Sequence, residues 1–417
     1  MCWPQAATGA REPAPNCSPT PKSPSFFLED NAMSRFFDWL VEVWDWLRRL
    51  LGFDRLKKST REQDLPGHSR LWAMAYFFRP ALAVFLILYF VLLVTRFTFI
   101  RGDDLQYPQR VMTVSEAVVT PGEPLAEGGC APSQTVAVTA YVLDVLVNQN
   151  TWVPMDPQFK IGWFGLIGFA PTPFFDNKAS FQTGALRAVR RVTIELADLL
   201  GRARRTSAAD PALEAARGAL QLNERMWLVN PFESDLPLVA ATAASNYRKA
   251  IRDLNAFNDR LRACEAVFDG RADNLFVLLD RIANDVGGVT DELATRSRGT
   301  RWDVASKSFV PGEGNNRGVF DFRADNAFFR AHGMMWAYHG IMQAARADFG
   351  AVLVQSNLNP IWDRMEIHLA EAAALEPLIV SNGREDSLFT PDHLSAMSVN
   401  MLRAQQNMVE IREVLNR

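Results

Sequence analysis

The sequence predicts an all-α protein in which a single transmembrane helix carries an elongated, extracytoplasmic helical bundle with coiled-coil-like packing. Three observations lead there. Residues 80–95, PALAVFLILYFVLLVT, are uncharged and almost wholly apolar. Between Ala185 and Leu415, apolar residues recur at alternating steps of three and four along successive segments. No segment of comparable length alternates with period two, the mark of a half-buried strand. A 3.5-residue repeat keeps one seam facing a neighbouring helix, which is the geometry of bundles and coiled coils.

Composition sets the bounds. The chain has 417 residues, 48% of them hydrophobic and 22% charged, with a net charge of −3. That suffices for a substantial core and gives no basic footprint of the kind nucleic-acid binding needs. The four cysteines, Cys2, Cys17, Cys130 and Cys264, form no CxxC pair and no zinc spacing.

Residues 1–32, rich in Pro, Ala and Ser, read as disordered. Met33 opens a better-patterned sequence and is a candidate true start. Residues 33–70 read as a cytoplasmic amphipathic helix and a charged linker. Over 34–51, Asp38, Glu42, Asp45 and Arg49 fall in one narrow stripe, while Phe36, Phe37, Trp39, Trp44 and Trp46 lie among apolar residues covering the rest. A face that wide needs lipid headgroups or a protein partner over it.

Residues 71–100 form the anchor region, with the apolar run bracketed by Arg79 and Arg96. A bilayer core takes about 20 apolar residues in helical form, and the arginines can snorkel to headgroups. Some seventy residues precede the run and no A-x-A pattern follows it, so it reads as an uncleaved signal anchor. Lys57, Lys58, Arg61, Arg70 and Arg79 before the run outnumber Arg96, Arg101 and Arg110 after it. The bias predicts a cytoplasmic N-terminus and a periplasmic C-terminal domain in a bacterial inner membrane.

Residues 101–133, with Pro108, Pro121, Pro124, Pro132 and Gly128-Gly129, read as a linker, and 134–417 as the helical domain. Asp210-Pro211, Asn359-Pro360 and Thr390-Pro391 each place a capping residue before a proline suited to the first helical position. The seams run Ala185–Leu199, Ala243–Phe268, Leu275–Leu293, Phe328–Val352, Ile361–Ile379 and Leu394–Leu415. They also allow self-association, because a seam closed within one chain and one closed between two copies read alike. Cys264 falls on a seam as a small buried hydrophobe; a bridge to Cys130 is the other reading.

Two stretches interrupt the pattern. Residues 296–322 include PGEGNNRGVFDF, a turn-forming connector far from any phosphate-loop motif. Residues 151–176 carry no charge between Lys160 and Asp176. Trp163, Phe164, Phe169 and Phe174 are there either an apolar connection buried on the bundle or a surface for lipid or a partner. The segment WVPMDPQFKIGWFGLIGFAPTPFFDN, with the single anchor and the downstream helices, resembles an uncharacterised family of proteobacterial inner-membrane proteins grouped as a domain of unknown function. The resemblance spans Met33 to Arg417, implies a bacterial envelope location and transfers no activity.

His332 and His339 lie two turns apart, about 10 Å, on a line with Asp325 and Arg346, too far to chelate one metal. Glu-x-x-His pairs, HExxH and GxSxG are absent, so neither a metal nor a cofactor is implied. The expected function is a cell-envelope scaffold or partner-binding module, contacting the bilayer and a protein through Phe36, Phe37, Trp39, Trp44, Trp46, Trp163, Phe164, Phe169 and Phe174. The alternative is a ligand-sensing or enzymatic domain with a site near residues 315–339, built from Asp321, Arg323, His332 and His339.

Overall fold

A computed structural model describes residues 70–417 apart from 113–118, 127, 163–167, 170–171, 173–174, 203–206, 231–234, 312–322, 378 and 384–390, with side chains from residue 81 onward. The chain divides into two units, Met1–Phe90 and Val91–Arg417, and helix α1 (Arg70–Phe97) contributes to both. From Leu82 to Leu92 the large apolar side chains of α1 are exposed, Leu88 by 64%. Successive residues turn by about 100°, so the bare surface covers every side of the helix. Leu93 and Phe97, one and two turns on from Tyr89, are instead buried. Among the described residues no helix is long and apolar enough to cross a membrane.

The second unit is built of helices: α2 (Tyr107–Val111), α3 (Gln134–Asp144), α4 (Pro157–Ile161), α5 (Asn177–Glu195), α6 (Pro211–Leu220), α7 (Ala243–Arg262) and α8 (Ala272–Arg298), then α9 (Ala324–Asp348), α10 (Gly350–Gln355), α11 (Asn359–Ala373) and α12 (His393–Leu415). π-helical turns extend α3 over Val145–Gln149 and α5 over Leu196–Leu200. Helix α9 packs against α5, α11, α3 and α12, and α8 packs along α12. The seam residues meet in these contacts. Ala243, Tyr247, Ala250, Leu254, Phe257 and Leu261 are fully buried, as are Leu275, Leu279, Ile282 and Val286 on α8 and Leu394, Met397, Met401 and Met408 on α12. Each such Leu or Met contributes about 1.5–3 kcal/mol of burial.

Two seam assignments, Cys264 and Ile379, need correcting at helix ends, and a third seam position, His368, is mid-helix. Cys264 is exposed, sits past the end of α7 with φ 60°, and is bonded to Cys130 across 134 residues. Ile379 lies beyond α11 and is 65% exposed. His368 is half-buried, with Nδ1 3.1 Å from Glu371 Oε2. The caps divide similarly. Asp210 accepts from the Ala212 and Leu213 N–H groups at the start of α6. By contrast α11 starts at Asn359 without a side-chain cap, and α12 is capped by Asp392, which accepts from Ser395 N. A further acid-proline cap, Asp156-Pro157, opens α4.

An antiparallel hairpin, β1 (Thr300–Asp303) paired with β2 (Ser308–Pro311), follows α8 after Gly299 ends that helix in the left-handed conformation. Its strands are too short to betray a period of two in sequence. Within the stretch 101–133, Tyr107 is fully buried and its hydroxyl donates to Trp336 O. At its end Asp348, from the last turn of α9, accepts from Ser133 Oγ and the Gln134 and Thr135 N–H groups at 2.6–2.9 Å. Those are the orphan donors at the start of α3.

Helices α5 and α9 approach through two glycines. A Cβ on Gly184 of α5 would stand 1.9 Å from Arg330 O of α9, and one on Gly333 of α9 would stand 2.0 Å from Phe181 O of α5. Only backbones without side chains there can lie this close, and the crossing sets the spacing of the residues on either side of it.

Candidate functional site

Beside that crossing lies an open cleft of about 470 Å³, within the usual size range of small-molecule sites. Pro154 and Phe159 form an apolar wall near α4; Asp176, Ser180, Thr183, Arg187 and Arg190 come from the start and exposed face of α5; Asn326 and Arg330 come from α9. Glu224 and Arg225 complete it from the loop after α6. On α5 the polar residues at 176, 180, 183 and 187 follow steps of four and three, so one helix face supplies them.

Asp176 is the unusual member. It is 3% exposed, and neither carboxylate oxygen makes a hydrogen bond of ordinary geometry. Burial pushes its carboxyl up to about 7; the nearby Asn326 amide opposes this and the neighbouring Asp325 carboxylate adds to it. A buried acid without donors is costly to keep charged.

The guanidinium groups differ in how firmly they are held. Arg190 is committed to the fold, donating to Leu220 O at 2.7 Å, Leu222 O at 2.8 Å and the Tyr247 hydroxyl at 3.1 Å. Arg187 reaches Asp285 only at 3.5 Å, a carboxylate that Arg191 already holds at 2.7 Å. Arg330 pairs with Glu292 at 3.2 Å with both side chains more than two-fifths exposed, a contact worth little in water. Ser180 Oγ donates to Asn326 Oδ1 and Thr183 Oγ1 to Ser180 O. Both hydroxyls are thereby engaged within the fold.

A second feature adjoins it. Phe97, the last residue of α1, packs against Phe159 and Phe169 with ring centroids 6.0 and 5.7 Å apart, and Phe169 stacks on Phe175 at 4.7 Å. Arg96 pairs with the buried carboxylate of Asp156. The Lys178 ammonium donates to Phe99 O at 2.7 Å and Arg96 O at 3.2 Å, so a cation closes the carbonyl end of α1. Burial pulls the Lys178 pKa down to about 8, helped by Arg101 and Arg96.

The residues expected from sequence fall in several places. Phe169 is fully buried in this aromatic cluster, as an apolar connection. Phe36, Phe37, Trp39, Trp44, Trp46, Trp163, Phe164, Phe174 and Asp321 lie outside the described residues. Arg323 is exposed at the residue before α9. His332 and His339 are buried and face different neighbours: His332 Nε2 is 2.8 Å from Ala373 O, and His339 Nε2 is 3.3 Å from Leu105 O and 3.0 Å from Gln343 Nε2. Burial lowers both imidazole pKa values, so they sit neutral in the core, and neither lines the cleft. Among the described residues no three His, Cys, Asp or Glu side chains gather as a metal site. The cleft residues themselves escaped sequence reasoning; glycines inside the helical patterns at 184 and 333 were the available signal.

The family described as "uncharacterized protein conserved in bacteria (DUF2333)" matches residues 162–417. The chain belongs to this family. The matched part of this DUF2333 protein takes in the α5–α9 crossing and most of the cleft, and starts well after the Met33 suggested by resemblance alone. No curated protein and no solved structure matches the chain significantly.

Proposed function

We propose that this DUF2333 protein is a single-pass scaffold of the bacterial cell envelope, with α1 crossing the inner membrane, its N-terminus in the cytoplasm and its helical body in the periplasm holding a protein partner. The observation that carries this reading is the bare apolar surface of α1 between Leu82 and Leu92, which water leaves uncompensated and acyl chains would cover. At 28 residues α1 is about 42 Å long, against an about 30 Å hydrocarbon core. The apolar sequence from Leu71 supplies the length that lies upstream of residue 81. The Cys130–Cys264 bond agrees with an oxidising compartment. Phe97 and Arg96, at the end of α1, are packed and paired within the helical body, which suits a chain that leaves the bilayer directly into that body.

An exposed aromatic surface suits a partner: Trp302 and Phe309 on the hairpin are 55% and 68% exposed and touch edge to face. Crosslinking in intact membranes followed by affinity purification should return a stoichiometric partner that is lost in the double variant Trp302→Ser, Phe309→Ser. Recovery of the chain alone, unchanged by that variant, would contradict the scaffold reading. A C-terminal reporter active only in the cytoplasm would contradict the orientation. The cleft favours a second reading, a ligand-sensing body whose site includes Asn326 and Arg330 within the 315–339 region.

A further inference from the structure

The cleft presents opposite charges at two depths. At its floor is the Asp176 carboxyl, almost wholly removed from water and without a well-formed hydrogen bond. At its mouth are the guanidinium groups of Arg187 and Arg330, each in a long or exposed ion pair that a ligand anion can replace. The floor repels a simple anion, and the cationic mouth opposes a simple cation. A ligand carrying both charges escapes both penalties, which is how unpaired groups reject the wrong partner. Pro154, Phe159 and Ala179 add apolar lining for a carbon chain.

We propose that the cleft binds a small zwitterion, with a primary ammonium received by Asp176 and a phosphate or carboxylate received by Arg187 and Arg330. The proposal rests on the ligand-sensing reading and names the ligand class. Two sources share this chemistry: a free amino-phosphate or amino acid, and the headgroup of an aminophospholipid. Phe159 joins the second source to the site, because the same ring that lines the cleft packs on Phe97 at the end of α1.

The test is calorimetric titration of the full chain in non-ionic detergent with phosphoethanolamine, ethanolamine and glycerol phosphate. Phosphoethanolamine should bind at least about tenfold more tightly than either half-ligand. That preference should vanish in Asp176→Asn, which keeps the shape, and weaken about tenfold in Arg187→Gln on the exposed rim. Equal affinity for glycerol phosphate would overturn the zwitterion and leave an anion site. The absence of binding by any of the three probes to the folded chain would overturn it as well. If Ala179→Trp, which fills the cleft, leaves the binding of every probe unchanged, the ligand-sensing reading of this cleft falls too. Repeating the titration in lipid nanodiscs separates the sources: phosphatidylethanolamine discs abolish phosphoethanolamine binding for a headgroup site, whereas they leave it intact for a site that takes the free compound.

Discussion

Helices α1 and α9 are both long and rich in large apolar side chains, and their surroundings are opposite. On α9 nearly every face is covered by protein: Phe328, Met335, Trp336, Tyr338, Ile341 and Met342 are all fully buried. Along α1 from Leu82 to Leu92 the large apolar side chains are bare, and burial begins only at Leu93. A helix that is apolar all round must be covered by something. Where neighbouring helices do this, the helix can also hold polar groups such as His332 and Asp325, each with a protein contact. Where none of the described residues does, the sequence carries no polar group at all between Pro80 and Leu88.

That contrast can be broken by charge. Met335→Lys puts an unpaired ammonium inside the bundle and should cost more than about 4 kcal/mol, abolishing the cooperative melting of the body. Leu88→Arg should leave that melting unchanged, because Leu88 touches little protein. It should instead disfavour membrane insertion by about 3 kcal/mol in a translocon insertion assay. Equal losses of body stability from the two substitutions would erase the distinction between the helices.

The disulfide sharpens the comparison from the body's side. Replacing Cys130 and Cys264 together by serine should cost about 2–4 kcal/mol in the body's thermal stability, since the bond closes a long loop. It should have no effect on the insertion of α1.

The smallest effect concerns pH. Asp176 has its folded pKa raised from 3.8 to about 7, chiefly by burial. Its contribution to stability is therefore full below the unfolded value and is lost as pH rises through the folded one. Asp176→Asn should match the parent near pH 4 and exceed it by about 2 kcal/mol at pH 8, after allowance for solvent in the open cleft. Melting curves across that range read the difference; a parallel pH dependence in both proteins would show that Asp176 titrates normally.

The helical seams were legible in sequence because their repeat is long and most of its positions are buried, whichever neighbouring helix covers them. Helix ends were less so. Asn359-Pro360 has the composition of a cap, yet Leu358 occupies that position and the chain enters α11 one residue early. Cys264 continued the α7 repeat numerically after the helix had ended at Arg262. The cleft was invisible because its lining comes from four separate stretches of chain, and Arg187 and Arg330 look like ordinary solvent-facing charges on their helices. Asp176 looked like the polar close of an apolar stretch; its burial beside Asn326 and Asp325 of α9 comes from helix packing that no local pattern announces.

The most direct test is alkaline carbonate extraction of membranes containing the full chain. If lipid covers the bare stretch of α1, the protein stays with the sedimented bilayer. Release of the intact chain into the supernatant would mean that something other than the membrane covers Leu82–Leu92, and the anchored scaffold would be contradicted.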